Sequence, residues 1–391
     1  MTDLKEPDVA SKVDFYRERT RALCAEFSGE YWRELDRIRA YPTAFVEALT
    51  ASGLLATLIP TEYGGGGEGL TVGAAIMEEI NRSGGHSAAC HAQMYTMGSL
   101  LRHGSEEQKR MYLPGIATGA LRLQAFSITE DAGSDTTSIV TKAELDGDDY
   151  VITGHKTWTS RIDETDLLLV LARTEDKGAD KTTGMTLFLV DLREVRATQP
   201  DAVRVEKVRT MFNYATNQVW YQGLRVPKTS IIGQAGEGFR YVIDGWNAER
   251  ILLASEAIGD GYWFAEKAAA YANERVVFGR PIGVNQGVQF PIVDGYMHVR
   301  AAELMRDVAV RLFDEGKPCG AEANMAKHLA ADASWESANA CMNTYGGFGF
   351  VDEYDVERKF RETRMYQVAP VNNNLVKTFI ASKVLGLPRS Y

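Results

Sequence analysis

FSITEDAGSD, residues 126–135, and GHKTWTS, residues 154–160, set small and hydroxyl side chains among aromatics in a region otherwise built of strand-like runs. Gly133 and Ser134 let the backbone approach a ligand closely. Thr129, Ser134, Thr157, Thr159 and Ser160 supply hydroxyl and backbone donors. Trp158 stands among them as a flat apolar surface able to stack on a planar ring. From composition alone both segments are hairpin turns with ordinary turn residues.

The texture changes on either side of this region. Residues 1–120 read as helices: Asp8 to Phe27 carries apolar residues at helical spacing, Pro42 opens a second segment, and EEINRSGG (Glu78 to Gly85) is a helix end with its glycine stop. Residues 121–232 alternate β-branched runs (YVITG, DLLLVLAR, MTLFLVDL, NQVWYQGLRV) with turn clusters such as DGDD and EDKGAD, which predicts an antiparallel β domain. From residue 233 to the end helical periodicity returns in four blocks, Gly238 to Arg275, Phe290 to Glu315, Glu322 to Tyr345 and Asn374 to Leu385. Element order sets fold class, and this one gives an α+β chain of three domains: N-terminal α-helical, central antiparallel β, and a C-terminal four-helix bundle. The run Gly64 to Gly67 lacks the lysine and spacing of a phosphate loop and reads as a flexible surface turn.

With 391 residues and 45% hydrophobic content the chain has room for substantial cores. A net charge of -10 argues against nucleic acid, so a polyanionic ligand would be held by a few local cations. No apolar run reaches the roughly 20 residues of a membrane span, and the N-terminal MTDLKEPDVA lacks a signal-peptide core, so a cytoplasmic location is expected. Cys24, Cys90, Cys319 and Cys341 have no CxxC spacing and read as buried thiols. The six histidines include no HExxH, and no metal is expected.

Beyond the two opening segments, GSEEQKRMYLPGIATG (104–119), GEGFRYVIDGWNAERILLASEAIG (236–259), YANERVVFGRPIGVNQGVQ (271–289) and TYGGFGF (344–350) follow in order, and together they resemble the acyl-CoA dehydrogenase family. The resemblance implies FAD, a homotetramer, an acyl-CoA substrate and an electron-transferring flavoprotein as acceptor. It also implies that Phe126, Ile128, Thr129, Gly133, Ser134, Trp158, Thr159 and Ser160 cradle the flavin ring. Arg275, Phe278 and Gln286 match residues reaching the FAD of a neighbouring subunit, where a guanidinium suits the pyrophosphate. Asn343, Gly346 and Gly347 match a loop lying against that pyrophosphate, although a glycine pair there also serves as a helix C-cap; Asn372 and Asn374 complete the implied FAD contacts. Asn247, Ala248 and Arg250 fall where the family holds the CoA-linked part of the substrate, and Ser134 is a further implied substrate contact. His91 and Tyr95, one helical turn apart, match the far end of the acyl pocket and suit a short, branched, cyclic or oxygenated acyl group.

Two departures from the family pattern surround the flavin segments: one residue fewer between Thr129-Glu130 and Gly133, and Arg161-Ile162-Asp163 where Asn-Gly is usual. A third concerns the catalytic base. Many members carry a C-terminal glutamate, and MYQVAPVNNN puts Pro370 in its place. A minority, isovaleryl-CoA dehydrogenase among them, carry the base on the first C-terminal helix before an arginine, and this chain has Glu249-Arg250 there. Glu249 stands between Gly245, Trp246, Leu252 and Leu253 at helical spacing, a costly place for a carboxylate unless it is paired or functional. In the family the thioester oxygen is bonded by a ribityl hydroxyl and by the backbone N–H at the position of Pro370, and proline has none. Losing one such donor costs about 2.7–4 kcal/mol in comparable oxyanion holes. The leading expectation is an FAD-dependent dehydrogenase using Glu249. The alternatives are a flavin monooxygenase or oxidase on the same fold, which tolerates Pro370, and a non-catalytic CoA- or partner-binding relative.

Overall fold

A computed structural model describes residues 9–176, 178 and 180–388. Residues 1–8, with Asp8 of the first predicted helix, and Lys177 and Ala179 of the EDKGAD turn lie outside it. In chain order the elements are α1 (Val9–Cys24), α2 (Gly29–Ile38), α3 (Thr43–Ala51), α4 (Leu70–Arg82), α5 (Ala88–His103) and α6 (Glu106–Thr118), then strands β1 (Leu123–Ser127), β2 (Lys142–Asp146), β3 (Asp149–Ser160), β4 (Leu167–Arg173) and β5 (Met185–Asp191). Helix α7 (Leu192–Thr198) precedes β6 (Val203–Lys207) and β7 (Thr216–Pro227); then come α8 (Gly238–Glu274), β8 (Val276–Val277), β9 (Arg280–Pro281), α9 (Gln286–Asp314), α10 (Gly320–Tyr345), α11 (Val356–Thr363) and α12 (Asn373–Phe379). The chain divides into two compact units, residues 39–67 with 88–246 and residues 1–38 with 68–87 and 247–391, the cut falling inside α8.

The first unit is built on a sheet of order β1-β4-β2-β3-β7-β6, with β5 also paired to β4. β4 is buried at every position, so its continuous Leu/Val run needs no polar alternation. The sheet is mostly antiparallel, but β1 runs parallel to β4, a pairing between distant segments that local alternation does not encode. α5 packs on β1, where Thr96 Oγ1 donates to the Leu123 carbonyl at 2.7 Å. α6 starts at a reciprocal capping box, Ser105 with Gln108, and ends at left-handed Gly119. The glycine run is a turn, as expected, but a tightly fixed one. The N–H groups of Gly64, Gly65, Gly66 and Gly67 donate to the carbonyls of Thr61, Pro60, Ala56 and Ile59. A Cβ on Gly65 would lie 2.1 Å from the Ile59 oxygen. Donors spent on the chain's own carbonyls cannot cradle a phosphate.

The second unit is helical. α1 packs on α4, α4 on α9, and α10 takes α9, α11 and α12 on its faces. Its core joins Phe264 and Ala268 of α8 to Ala338, Cys341 and Tyr345 of α10 and Val356 of α11. The core also buries charges. Glu78 accepts from Arg17 Nη1 at 2.6 Å and from Arg306 Nη2 at 2.8 Å, and Lys359 of α11 meets Asp260 of α8 with both side chains fully buried. Such groups are tolerated because each has partners of opposite sign. All four cysteines are buried, and burial pushes the thiols of Cys24 and Cys341 up to about 12.

Candidate functional site

In the sheet unit the two opening segments lie side by side. The Thr157 N–H donates to the Thr129 carbonyl at 2.9 Å, the Ser127 and Thr159 hydroxyls are 3.0 Å apart, and Tyr221 OH donates to Ser127 Oγ at 2.8 Å. Pairing of β3 with β7 breaks after Lys156 and resumes at Thr159. Inside this bulge Trp158 has φ +60° and leaves its side chain 57% exposed. A bulge turns a side chain that regular pleating would send elsewhere, and a left-handed tryptophan is strained unless its surroundings hold it. Thr159 is buried, and Ser160 Oγ donates to Thr216 Oγ1 at 3.0 Å. Gly133 (φ +59°) and Ser134 lie in an exposed turn, and among the described residues nothing beyond the chain neighbours comes within 4 Å of a Cβ built on Gly133. An exposed indole, an open glycine turn and a hydroxyl row fit a planar, hydrogen-bonding ring such as the flavin.

The acyl-pocket candidates are in the same unit. His91 and Tyr95 meet edge to face at 5.1 Å, and Tyr95 stacks on Phe126 at 6.2 Å. His91 is buried and Tyr95 half-buried. The three rings form one aromatic wall that carries a histidine and a phenol.

The helical unit holds the remaining candidates. Tyr271, Arg275, Val277, Ile282 and the segment Thr344–Phe348 with Val351 surround a cavity of about 480 Å³. Gly346 closes α10 with φ +57°, and among the described residues no atom beyond the chain neighbours lies within 4 Å of a Cβ built on Gly346 or Gly347. The pair therefore caps a helix and leaves its backbone open to the cavity. Arg275 lies over the Phe348 ring at 5.5 Å, and Tyr271 stacks on Tyr345 at 3.9 Å. A cation, aromatic rings and bare backbone suit a nucleotide's phosphate and base. Phe278, fully exposed with φ +53°, Gln286 at the start of α9 and Asn343 do not line this cavity. Asn372 spends its Oδ1 capping α12 through the Leu375 N–H at 2.9 Å, and Asn374 is exposed.

Glu249 and Arg250 are both buried on α8. Arg250 Nη1 donates to Asn247 Oδ1 at 3.3 Å. Burial pulls the Arg250 guanidinium below its ordinary range, opposed by the adjacent Glu249 charge. Lys327 of α10 is fully buried and holds the Pro370 segment, donating to the Val371 carbonyl at 2.6 Å and to Asn373 Oδ1 at 2.9 Å. Burial, then the positive charge of Arg250, lowers its pKa to about 7. Around it Gln367 Nε2 bonds the Ala331 carbonyl and Asp332, and Asn373 Nδ2 bonds Asp332 and Gln367. The segment that lacks a glutamate is thus tied to α10 by a cation close to the Glu249-Arg250 corner. Sequence reading missed Lys327; its one signal is a lysine inside the small-residue run ANMAKHLAA. Among the described residues no group of three or more His, Cys, Asp or Glu is placed to hold a metal ion, and no helix is long and apolar enough to cross a membrane.

Three family descriptions match the chain in order: acyl-CoA dehydrogenase, N-terminal domain, over residues 13–120, middle domain over 125–219, and C-terminal domain over 236–385. The chain belongs to the acyl-CoA dehydrogenase family, whose members are FAD-dependent oxidoreductases. Among curated relatives it is 32% identical to the acyl-CoA dehydrogenase FadE12 of Mycobacterium tuberculosis, over 96% of both chains. It is 32% identical to a cyclohex-1-ene-1-carbonyl-CoA dehydrogenase of Syntrophus aciditrophicus, over 90% of this chain and 84% of that one. A solved glutaryl-coenzyme A dehydrogenase in complex with glutaryl-CoA superimposes with a TM-score of 0.89 at 29% identity, covering 98% of each chain.

Proposed function

We propose that the enzyme oxidises the Cα–Cβ bond of a short cyclic, branched or oxygenated acyl-CoA, with Glu249 removing the α-proton. The observation that carries this reading is a buried carboxylate on α8 beside a buried arginine, in a chain with proline at the alternative base position. Burial raises the proton affinity of a carboxylate, which suits one that serves as a general base. FAD, when bound, would supply the acceptor for the β-hydride. Thr129, Ser134, Trp158, Thr159 and Ser160 would hold its ring system. Arg275, Gly346 and Gly347 would hold a phosphate-bearing part in the 480 Å³ cavity. Arg250 and Asn247 would orient the CoA-linked end of the substrate, and the His91–Tyr95–Phe126 wall would face the acyl group. The wall's rings, and a relative whose name specifies a cyclohexene ring, support a cyclic acyl group.

The reading extends to a homotetramer that passes electrons to an electron-transferring flavoprotein. Self-association is supported by the exposed apolar stripe on α9, Phe290, Val293, Met297, Leu304 and Val308 at helical spacing. A second reading, an oxidase or monooxygenase, draws on Pro370, which has no N–H for a thioester oxygen. Anaerobic bleaching of the flavin's visible absorption by a panel of short, branched, cyclic and aryl acyl-CoAs tests the first. A flavin that no thioester bleaches, with oxygen consumed in the absence of another acceptor, would favour the second.

A further inference from the structure

Lys156 has no exposed surface, and its ammonium donates to the Ile128 carbonyl at 2.8 Å and to Glu130 Oε1 at 2.9 Å. The Glu130 carboxylate also accepts from the Val140 N–H at 2.6 Å and the Thr141 N–H at 3.0 Å. With the bond from Thr157 N–H to the Thr129 carbonyl, residues 128, 129 and 130 are each fastened to residues 156–157. No strand ladder does this work, because β1 is paired with β4 and β3 with β2 and β7. On one side of the fastening lies the bulge that carries Trp158; on the other lie Thr129 and the turn to Gly133.

Full burial of an ammonium is expensive, and a methionine would fill the same volume without that cost. Burial draws the Lys156 pKa down to about 8 against the pull of Glu130. Burial also resists ionisation of Glu130, yet Lys156 and the Thr141 and Val140 bonds hold its carboxyl below the ordinary range. Both partners are therefore charged at neutral pH. What the ion pair supplies, and packing could not, is a fixed direction for the Ile128 carbonyl and the Glu130 side chain, which flank the Thr129 carbonyl held by the Thr157 N–H.

We infer that Lys156, paired with Glu130, is the positioning residue of the flavin site, fixing the spacing between the Thr129 main chain and the Trp158 bulge. The inference rests on FAD as the cofactor. It concerns neither proton nor hydride transfer; Lys156 acts through the segments it holds.

The test compares wild type with Lys156→Met, Glu130→Gln and the double variant. Read-outs are the melting temperature of the apoprotein, the FAD dissociation constant from flavin fluorescence, and the midpoint potential of the bound flavin. Lys156→Met alone leaves Glu130 buried without its counter-charge and should lower the melting temperature. The double variant removes both charges and should recover much of that loss, while binding FAD about tenfold or more weakly and with a displaced potential. A double variant that melts like wild type and keeps both its FAD dissociation constant and its potential would reduce the pair to a structural role and overturn the inference. Should the double variant fail to fold, Glu130→Gln decides, since it removes the charge while keeping one acceptor oxygen for Lys156 and the Thr141 N–H: unchanged FAD affinity and potential there also overturn it. Failure of the cofactor assignment would look different, because wild type itself would then bind no FAD.

Discussion

Lys327 and Val371 are joined by a 2.6 Å hydrogen bond from a fully buried ammonium to a main-chain carbonyl, across 44 residues of sequence. The bond fixes the residue that follows Pro370, and the same ammonium reaches Asn373. The segment without a glutamate is therefore tied to α10 at two points, Val371 and Asn373.

Replacing Lys327 with Met should leave the Val371 carbonyl and Asn373 short of a donor, at about 1–3 kcal/mol for each unsatisfied buried group. We expect a lower kcat/KM for acyl-CoA with FAD content unchanged. The pH dependence of stability gives an independent check. Lys327 titrates at about 7 in the folded protein against an ordinary 10.5, so between those values the unfolded chain binds more protons. Its contribution to stability therefore rises with pH across that interval, and the penalty is full below it. Melting temperatures of Lys327→Met at the two ends of the interval should lack this rise; an unchanged slope would assign it to other groups.

Acid should act through Glu362. Burial opposes its ionisation, but Arg358, then Lys359, hold its carboxyl down to about 2 from an ordinary 4.5. A depressed carboxylate stabilises the fold above its unfolded pKa, and the gain is lost as pH falls from about 4.5 towards 2. The linked free energy is on the order of 3 kcal/mol. Melting curves of Glu362→Gln should start lower at neutral pH and fall less steeply in that acid window than wild type. Parallel curves would contradict the assignment.

The local features of this chain were legible in its sequence, and the long-range ones were not. The hydroxyl row of residues 157–160 and the odd carboxylate at Glu249 announce themselves because a motif or a helical stripe lies within a few residues. Lys156 and Lys327 passed unnoticed, since their partners Glu130 and Val371 lie 26 and 44 residues away. Helix α11 escaped for the same reason. VERKFRET lies outside the four predicted helical blocks, and its Arg358 and Lys359 bond the carbonyls of Gly84 and Gly85, 274 residues distant. The parallel pairing of β1 with β4 was hidden because alternation reports which face of a strand is buried and not which strand lies beside it.

The α9 stripe makes a prediction about assembly. Phe290, Met297 and Leu304 are each more than half exposed, spaced by seven residues, so they lie along one face. An apolar face of this kind is covered in a stable protein, and here a second copy of the chain is the proposed cover. Leu304→Glu with Met297→Glu should reduce the mass measured by light scattering while leaving the helical circular dichroism of the subunit intact. A wild type already monomeric at working concentration would refute the tetramer outright.

Glu249 gives the decisive chemical test. A carboxamide keeps the size and hydrogen-bonding reach of the side chain but cannot take up a proton. Glu249→Gln should bind FAD with wild-type spectrum and affinity, because no flavin contact is assigned to it, and it should still bind acyl-CoA. Flavin bleaching by whichever acyl-CoA reduces wild type should slow by about 10²–10⁴-fold, the range typical of a positioned general base. Stopped-flow reduction under anaerobic conditions measures that step apart from product release and reoxidation. Reduction at the wild-type rate would exclude Glu249 as the base. With proline at position 370, the search would then move to the carboxylates of the helical unit, beginning with Glu256, buried two turns further along α8.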